Sequence, residues 1–127
     1  MPFIRCATPA DAEAAYDRVV RDRLDALFLF FGSEDPGTGA SWCPDCVVAD
    51  PVLRATIAKV APKLPVHECP VGARADWKGQ AQHPYRVHPG FRVARIPTLI
   101  RFRGGLEIGR LVEAPCADVA AVTAFLG

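Results

Sequence analysis

The order of segments along this 127-residue chain predicts an α/β fold, with a central mixed β-sheet flanked by helices on both faces. Three observations carry that expectation. Strand-like and helix-like segments alternate through the first half of the chain. The run Leu27 to Phe31 is apolar throughout, as in a strand buried on both faces. Gly104-Gly105 separates two strand-like segments near the end and reads as a hairpin turn. The length fits a single domain over residues 1–127. Half of the residues are apolar, which excludes a disordered chain of low hydrophobicity.

Taken in order, Phe3 to Cys6 is a short first strand. Thr8-Pro9 opens a helix, with Thr8 as the cap, Pro9 in the first helical position and Asp11 in the first turn. Ala12, Ala15, Tyr16 and Val19 recur at helical spacing to about Asp22. After the Leu27–Phe31 strand, Gly32 to Ser41 is a loop rich in Gly and Pro. A long helix starts at about Cys43, with Cys46, Ala49, Leu53, Ile57 and Val60 on one face. Pro51 lies within it and removes one backbone hydrogen bond, so a kink is expected there. Val66 to Val71 is the next strand, and Gly72 to Pro89 is irregular, with a short helix near Asp76. Pro97 to Phe102 and Leu106 to Val112 form the hairpin. Ala117 to Leu126 closes the chain as a helix with Val119, Val122 and Leu126 facing inward.

Fifteen Lys and Arg against fourteen Asp and Glu leave a net charge of +1, so no global field points to nucleic acid or to an anionic membrane. The longest uncharged apolar run, Ala26 to Gly32, is far short of a membrane span. Arg5, Asp11, Glu13, Asp17 and Arg18 interrupt the stretch where a secretory signal would lie, and the chain reads as cytoplasmic.

Five cysteines are too few and too odd in number for a disulfide scaffold. Cys6, Cys69 and Cys116 stand alone in sequence and read as small buried hydrophobes. Cys43 and Cys46 are different. Trp42-Cys43-Pro44-Asp45-Cys46 sits where a buried strand and loop give way to a helix, and three residues are close to one helical turn. The two sulfurs therefore face each other within disulfide reach. Cys43 lies at the positive end of the helix, where free backbone N–H groups favour a thiolate. Cys46, one turn in, is expected to be the more buried thiol, and Pro44 suits the first helical position. A zinc knuckle uses the same spacing but needs two further ligands. His67 and Cys69 are the near candidates, and they lie within a strand rather than on a second knuckle, so no metal is expected. A structural disulfide fits poorly with the absence of a secretory signal. Redox chemistry is the remaining reading.

Ile96-Pro97-Thr98 adds to it, because Pro is unusual at the entry to a central strand. A cis Ile96–Pro97 bond would present the backbone of Ile96 beside Cys43, where an extended substrate could pair with it.

With these residues in hand, the chain resembles the thioredoxin superfamily, and within it the thioredoxin domain-containing protein 17 family of small cytosolic disulfide reductases. Ser41-Trp42-Cys43-Pro44-Asp45-Cys46, Asp50-Pro51-Val52, Cys69-Pro70-Val71-Gly72, Trp77-Lys78 and Ile96-Pro97-Thr98-Leu99 carry the resemblance in that order. It implies the thioredoxin fold, with Cys43 as nucleophile, Cys46 as resolving thiol and Pro97 as the cis-proline. It further implies a disulfide reductase with no bound cofactor, recharged by NADPH through a thioredoxin-reductase-type enzyme. Small disulfides such as cystine, or selected protein disulfides, are the implied substrates, and the chain is expected to act as a monomer. The alternative is a redox-sensing or partner-binding module in which the pair is a switch.

Two positions depart from the pattern. Thioredoxins proper carry a buried Asp in the strand before the active site, and the matching position is read as Phe30, leaving a water or Asp45 to accept the proton of Cys46. Arg95 stands where the family has a small residue. Trp42 is expected to shield the Cys43 sulfur, and His83 and His88 to be solvated loop residues. Charge is also segregated. Asp25, Glu34, Asp35, Asp45 and Asp50 have no cation among them, whereas Lys78, Arg86, Arg92, Arg95, Arg101 and Arg103 have no anion. Arg95, with Arg92, is the expected holder of a substrate carboxylate.

Overall fold

A computed structural model describes residues 3–127. Five strands form one sheet: β1 (Phe3–Arg5), β2 (Ala26–Phe31), β3 (Val66–Pro70), β4 (Thr98–Arg103) and β5 (Leu106–Val112). Their order is β1-β3-β2-β4-β5. β1, β3 and β2 run parallel, and β4 and β5 pair antiparallel, so the sheet is mixed as expected. The helices are α1 (Pro9–Arg21), α2 (Pro44–Val60), α3 (Arg74–Trp77), α4 (Pro84–Val87) and α5 (Val119–Leu126), with a single 3-10 turn at Ala114–Ala117.

Local chemistry explains the ends of these elements. Thr8 and Asp11 form a reciprocal capping box on α1. Gly104 and Gly105 both take positive φ, 58° and 81°, the conformation of the tight hairpin turn between β4 and β5. α2 continues across Pro51 as one helix of 17 residues.

Alternation along β2 divides the core. Phe28 and Phe30 face one side and pack edge-on or tilted against Phe91, with Phe102 and Tyr85 completing an aromatic cluster. Tyr16 of α1 joins that cluster through Phe91 and Phe102. Leu29 and Phe31 face the other side, where they border a cavity with Ala49 and Leu53 of α2. All six residues of β2 are buried, as its apolar run requires.

Some expectations fail for long-range reasons. His83 is buried rather than solvated: its Nε2 lies 2.8 Å from the Val71 carbonyl oxygen, and its Nδ1 accepts the Tyr85 N–H at 3.0 Å. His88 packs against Tyr16 and Phe91. Val119 is exposed because α5 begins there, leaving Val122 and Leu126 to face the core. Arg101 is held by its N–H groups to the Phe125 and Gly127 carbonyls.

Candidate active site

The loop before α2 is built by its own hydrogen bonds. Asp35 accepts the Gly37 N–H through its carboxylate at 2.7 Å, while Glu34 and Ser41 form a β-bridge across the loop. Ser41 then donates to the Gly32 carbonyl and accepts the Cys43 N–H at 3.2 Å. The Trp42 indole N–H donates to the Gly72 carbonyl at 2.7 Å, which fixes the ring over Gly32. A Cβ at Gly32 would stand 2.7 Å from that ring and 3.0 Å from the Cβ of Cys43, so the close approach requires glycine.

Cys43 is the N-cap of α2. It adopts extended backbone geometry, and its Sγ accepts the Cys46 N–H at 3.2 Å. Pro44 follows in the first helical position, and Asp45 lies in the first turn. Cys43 and Cys46 are joined as a disulfide with Cα atoms 5.2 Å apart. Their exposure does not separate them, at 5% and 4%. What differs is the space each sulfur-bearing residue borders. Cys43 lines a cleft of about 200 Å³, and Cys46 lines a separate, mostly apolar cavity of about 260 Å³.

The cleft beside Cys43 also contains Trp42, Pro44, Asp45, Arg95 and Ile96, together with Arg74, Trp77, Lys78, Arg86 and Glu113. Arg92 is not part of it, so the pairing of Arg95 with Arg92 expected from sequence is replaced. The cations that join Arg95 are Arg74, Lys78 and Arg86, from α3, α4 and their connection. Arg95 is 72% exposed at its side chain and pairs with Glu113 at 3.1 Å. Arg86 lies over the Trp77 ring, 3.6 Å from its centroid, and donates to the Ala94 and Trp77 carbonyls. Burial lowers its pKa from the ordinary arginine value. The Ile96–Pro97 peptide is cis, and Pro97 borders the cavity next to Cys46.

Parity along β2 corrects the place of Phe30. Its ring packs on Tyr85 and Phe91, on the face away from α2. Leu29 and Phe31 are the β2 residues that border the Cys46 cavity. The acidic groups there are Glu34 and Asp50, with Arg54 beside them, and Asp45 lies in the cleft instead. Glu34 and Asp50 end a chain of ion pairs: Glu34–Arg5 at 2.8 Å, Arg5–Glu68 at 3.4 Å, Glu68–Arg54, and Arg54–Asp50 at 3.0 Å. The hydrogen bond from Arg5 holds the Glu34 carboxyl below its usual range.

Cys6, Cys69 and Cys116 are free and buried. Burial pushes the Cys116 thiol up to about 11. None of the three borders the Cys43 cleft or the Cys46 cavity. Replacing all three by Ala or Ser is therefore expected to leave turnover of the pre-reduced protein near the wild-type value, with any loss appearing in thermal stability. A loss of more than about tenfold in a folded variant would make one of them part of the reaction.

A pair of cysteines one turn apart, the first capping a helix that leaves the central strand of a mixed sheet, is the working part of a thiol–disulfide oxidoreductase with the thioredoxin fold. The comparisons agree. Thioredoxin O2 from Arabidopsis thaliana, in its oxidized state, superposes with a TM-score of 0.70 over 98% of this chain and 94% of that one, at 18% identity. Residues 10–127 match the thioredoxin domain of thioredoxin domain-containing protein 17-like proteins. The thioredoxin-like protein Clot of Oryza sativa is 36% identical over 123 residues, covering 88% of each chain. Thioredoxin domain-containing protein 17 of Homo sapiens is 36% identical over 91 residues, covering 71% of this chain and 68% of that one. The chain belongs to the thioredoxin domain-containing protein 17-like family.

Proposed function

We propose that this protein is a cytoplasmic disulfide reductase acting on small anionic disulfides or selected protein disulfides, with Cys43 as nucleophile and Cys46 as resolving thiol. The observation that carries the reading is the position of Cys43, which caps α2 and borders a cleft with four cationic side chains. The helix N-terminus favours the Cys43 thiolate, and the cations favour an anionic partner. The thiolate attacks a substrate disulfide, and one substrate thiolate leaves. Cys46 then attacks the Cys43 sulfur, releases the second substrate thiol and leaves the Cys43–Cys46 disulfide. Two electrons from NADPH, delivered by a thioredoxin-reductase-type enzyme, restore the dithiol. No bound cofactor or metal takes part. Ile96 offers its backbone to an extended substrate beside Pro97, while Trp42, Pro44 and Asp45 shape the rim.

The test is NADPH oxidation coupled through a thioredoxin reductase, with a panel of charged and uncharged disulfides. Sustained turnover is expected. A single oxidation without turnover would instead favour the redox-sensing module. Within the panel, Arg95→Ala is expected to raise KM about fivefold for cystine or glutathione disulfide, since one largely exposed charged contact contributes at most on the order of 1 kcal/mol. An uncharged aromatic disulfide should be almost unaffected. Equal losses on both substrates, or on neither, would remove Arg95 from substrate recognition.

A further inference from the structure

Two of the remaining cysteines meet in space although 62 residues of chain lie between them. β1 and β3 are parallel, with Ile4 opposite His67 and Arg5 opposite Glu68. The Cys6 N–H donates to the Glu68 carbonyl at 2.8 Å, the hydrogen bond that continues this ladder. The next pair in register is Cys6 and Cys69. Opposed residues of parallel strands project to the same face, and neighbouring strands lie about 4.8 Å apart. That separation falls inside the Cα span of disulfides, roughly 4.4–6.8 Å.

A third group shares the face. The His67 imidazole is 2% exposed and stacks on Phe28 at 4.6 Å, and neither ring nitrogen has a hydrogen-bond partner among the described residues. A buried imidazole with both nitrogens free, beside two thiols, is costly as packing alone. Both of its nitrogens are open to a hydrogen bond from a neighbouring thiol. No cluster of three His, Cys, Asp or Glu groups among the described residues is arranged to hold a metal ion.

We propose that Cys6 and Cys69 are a second redox-active dithiol, which hydrogen peroxide closes to a disulfide that clamps β1 to β3, with His67 as its proton acceptor. His67 takes the Cys6 proton, and the Cys6 thiolate attacks the peroxide oxygen to give a sulfenic acid and hydroxide, which recovers the proton from His67 as water. Cys69 then attacks the Cys6 sulfur, the S–S bond forms, and the sulfenic oxygen leaves as a second water. Two electrons pass from the two thiols to the peroxide. Charge favours Cys6 as the attacking group: the neighbouring Cys69 and His67 side chains lower its thiol pKa against the opposing effects of burial and Asp11, while the Cys69 thiol donates to the His67 carbonyl at 3.6 Å. Burial and the neighbouring Cys6 raise that of Cys69, with Glu68 adding to the rise and Arg5 opposing it. The charges of both thiols also add to the rise that burial gives the Tyr85 hydroxyl. β1 is a three-residue edge strand, the kind of element that opens locally without global unfolding, and such opening would give the peroxide access to the pair.

The experiment uses the full chain with Cys43→Ser and Cys46→Ser, so its outcome does not depend on the activity of the first pair. The pre-reduced protein is treated with hydrogen peroxide, free thiols are counted, and peptides are mapped by mass spectrometry. Two of the three remaining thiols should disappear together, with a Cys6–Cys69 linked peptide, a raised melting temperature and full reversal by dithiothreitol. Adding Cys69→Ala should leave Cys6 as a sulfenic acid that dimedone traps. Adding His67→Gln should slow oxidation by about tenfold or more at neutral pH, with His67→Asn as the variant to use if Gln disturbs packing. Persistence of all three thiols in the folded protein, linkage only in urea, or linkage through Cys116 would overturn the pair. An unchanged rate in a folded His67 variant would overturn the proton acceptor.

Discussion

Cys43→Ser is expected to abolish disulfide turnover, and Cys46→Ser to hold substrates on Cys43 as mixed disulfides. Both sulfurs are almost equally buried, so the asymmetry rests on position. Cys43 caps α2 and borders the basic cleft, whereas Cys46 lies one turn inside and borders the apolar cavity. A substrate entering by the cleft meets Cys43 first. With Cys46 intact, the mixed disulfide is short-lived because the resolving thiol is already within bonding reach. With Ser at that place no second thiolate is available, and the adduct accumulates. Mass spectrometry of each variant after exposure to cystine reads the result. Adducts forming preferentially on Cys46 in the Cys43→Ser protein would reverse the assignment.

Trp77→Ala is expected to cost about 3–5 kcal/mol of stability, the range for removing a buried aromatic ring. A domain of this size has roughly 5–15 kcal/mol in total, so the variant should be close to unfolding at moderate temperature. The ring is 3% exposed, meets His83 edge-on at 4.9 Å and carries the Arg86 guanidinium on its face. Arg86 in turn donates to the Ala94 carbonyl, next to Arg95. Removing Trp77 therefore loosens the cleft wall as well as the core. Trp77→Phe should recover most of the stability, measured by denaturant unfolding beside wild type. A cost below about 1 kcal/mol for Trp77→Ala would show that the wall is anchored elsewhere.

Features that depend on local chemistry were legible in the sequence. The Leu27–Phe31 run announced a strand covered on both faces, Thr8 and Asp11 announced the start of α1, and Gly104-Gly105 announced the hairpin. The Cys-x-x-Cys spacing carried its own geometry, because one helical turn separates the two residues. Features that depend on register were not legible. Which face of β2 meets Cys46 depends on pairing with β3 and β4, and a one-residue difference moved Phe30 to the far side. The meeting of Cys6 with Cys69 has the same cause, since nothing in the spacing of two distant cysteines records a strand register. The cations that join Arg95 come from an irregular segment whose path is set by buried contacts of Trp77, His83 and Tyr85. Their convergence on the cleft has no local signature. His83 itself read as a loop residue because its partner, the Val71 carbonyl, lies in another part of the chain.

The ion pairs from Glu34 to Asp50 make the acidic loop a latch on the cavity behind Cys46. That loop forms part of the cavity wall, and the Arg5–Glu34 pair is an exposed fastening that ties it to the edge of the sheet. Such a fastening is held by about 1 kcal/mol at most and weakens as salt screens it. The basic cleft in front of Cys43 is governed by the same screening, but there salt dilutes the pull on an anionic partner. Ionic strength therefore reaches both sides of one disulfide through the same screening: it slackens the fastening of the loop behind Cys46 and quiets the attraction in front of Cys43.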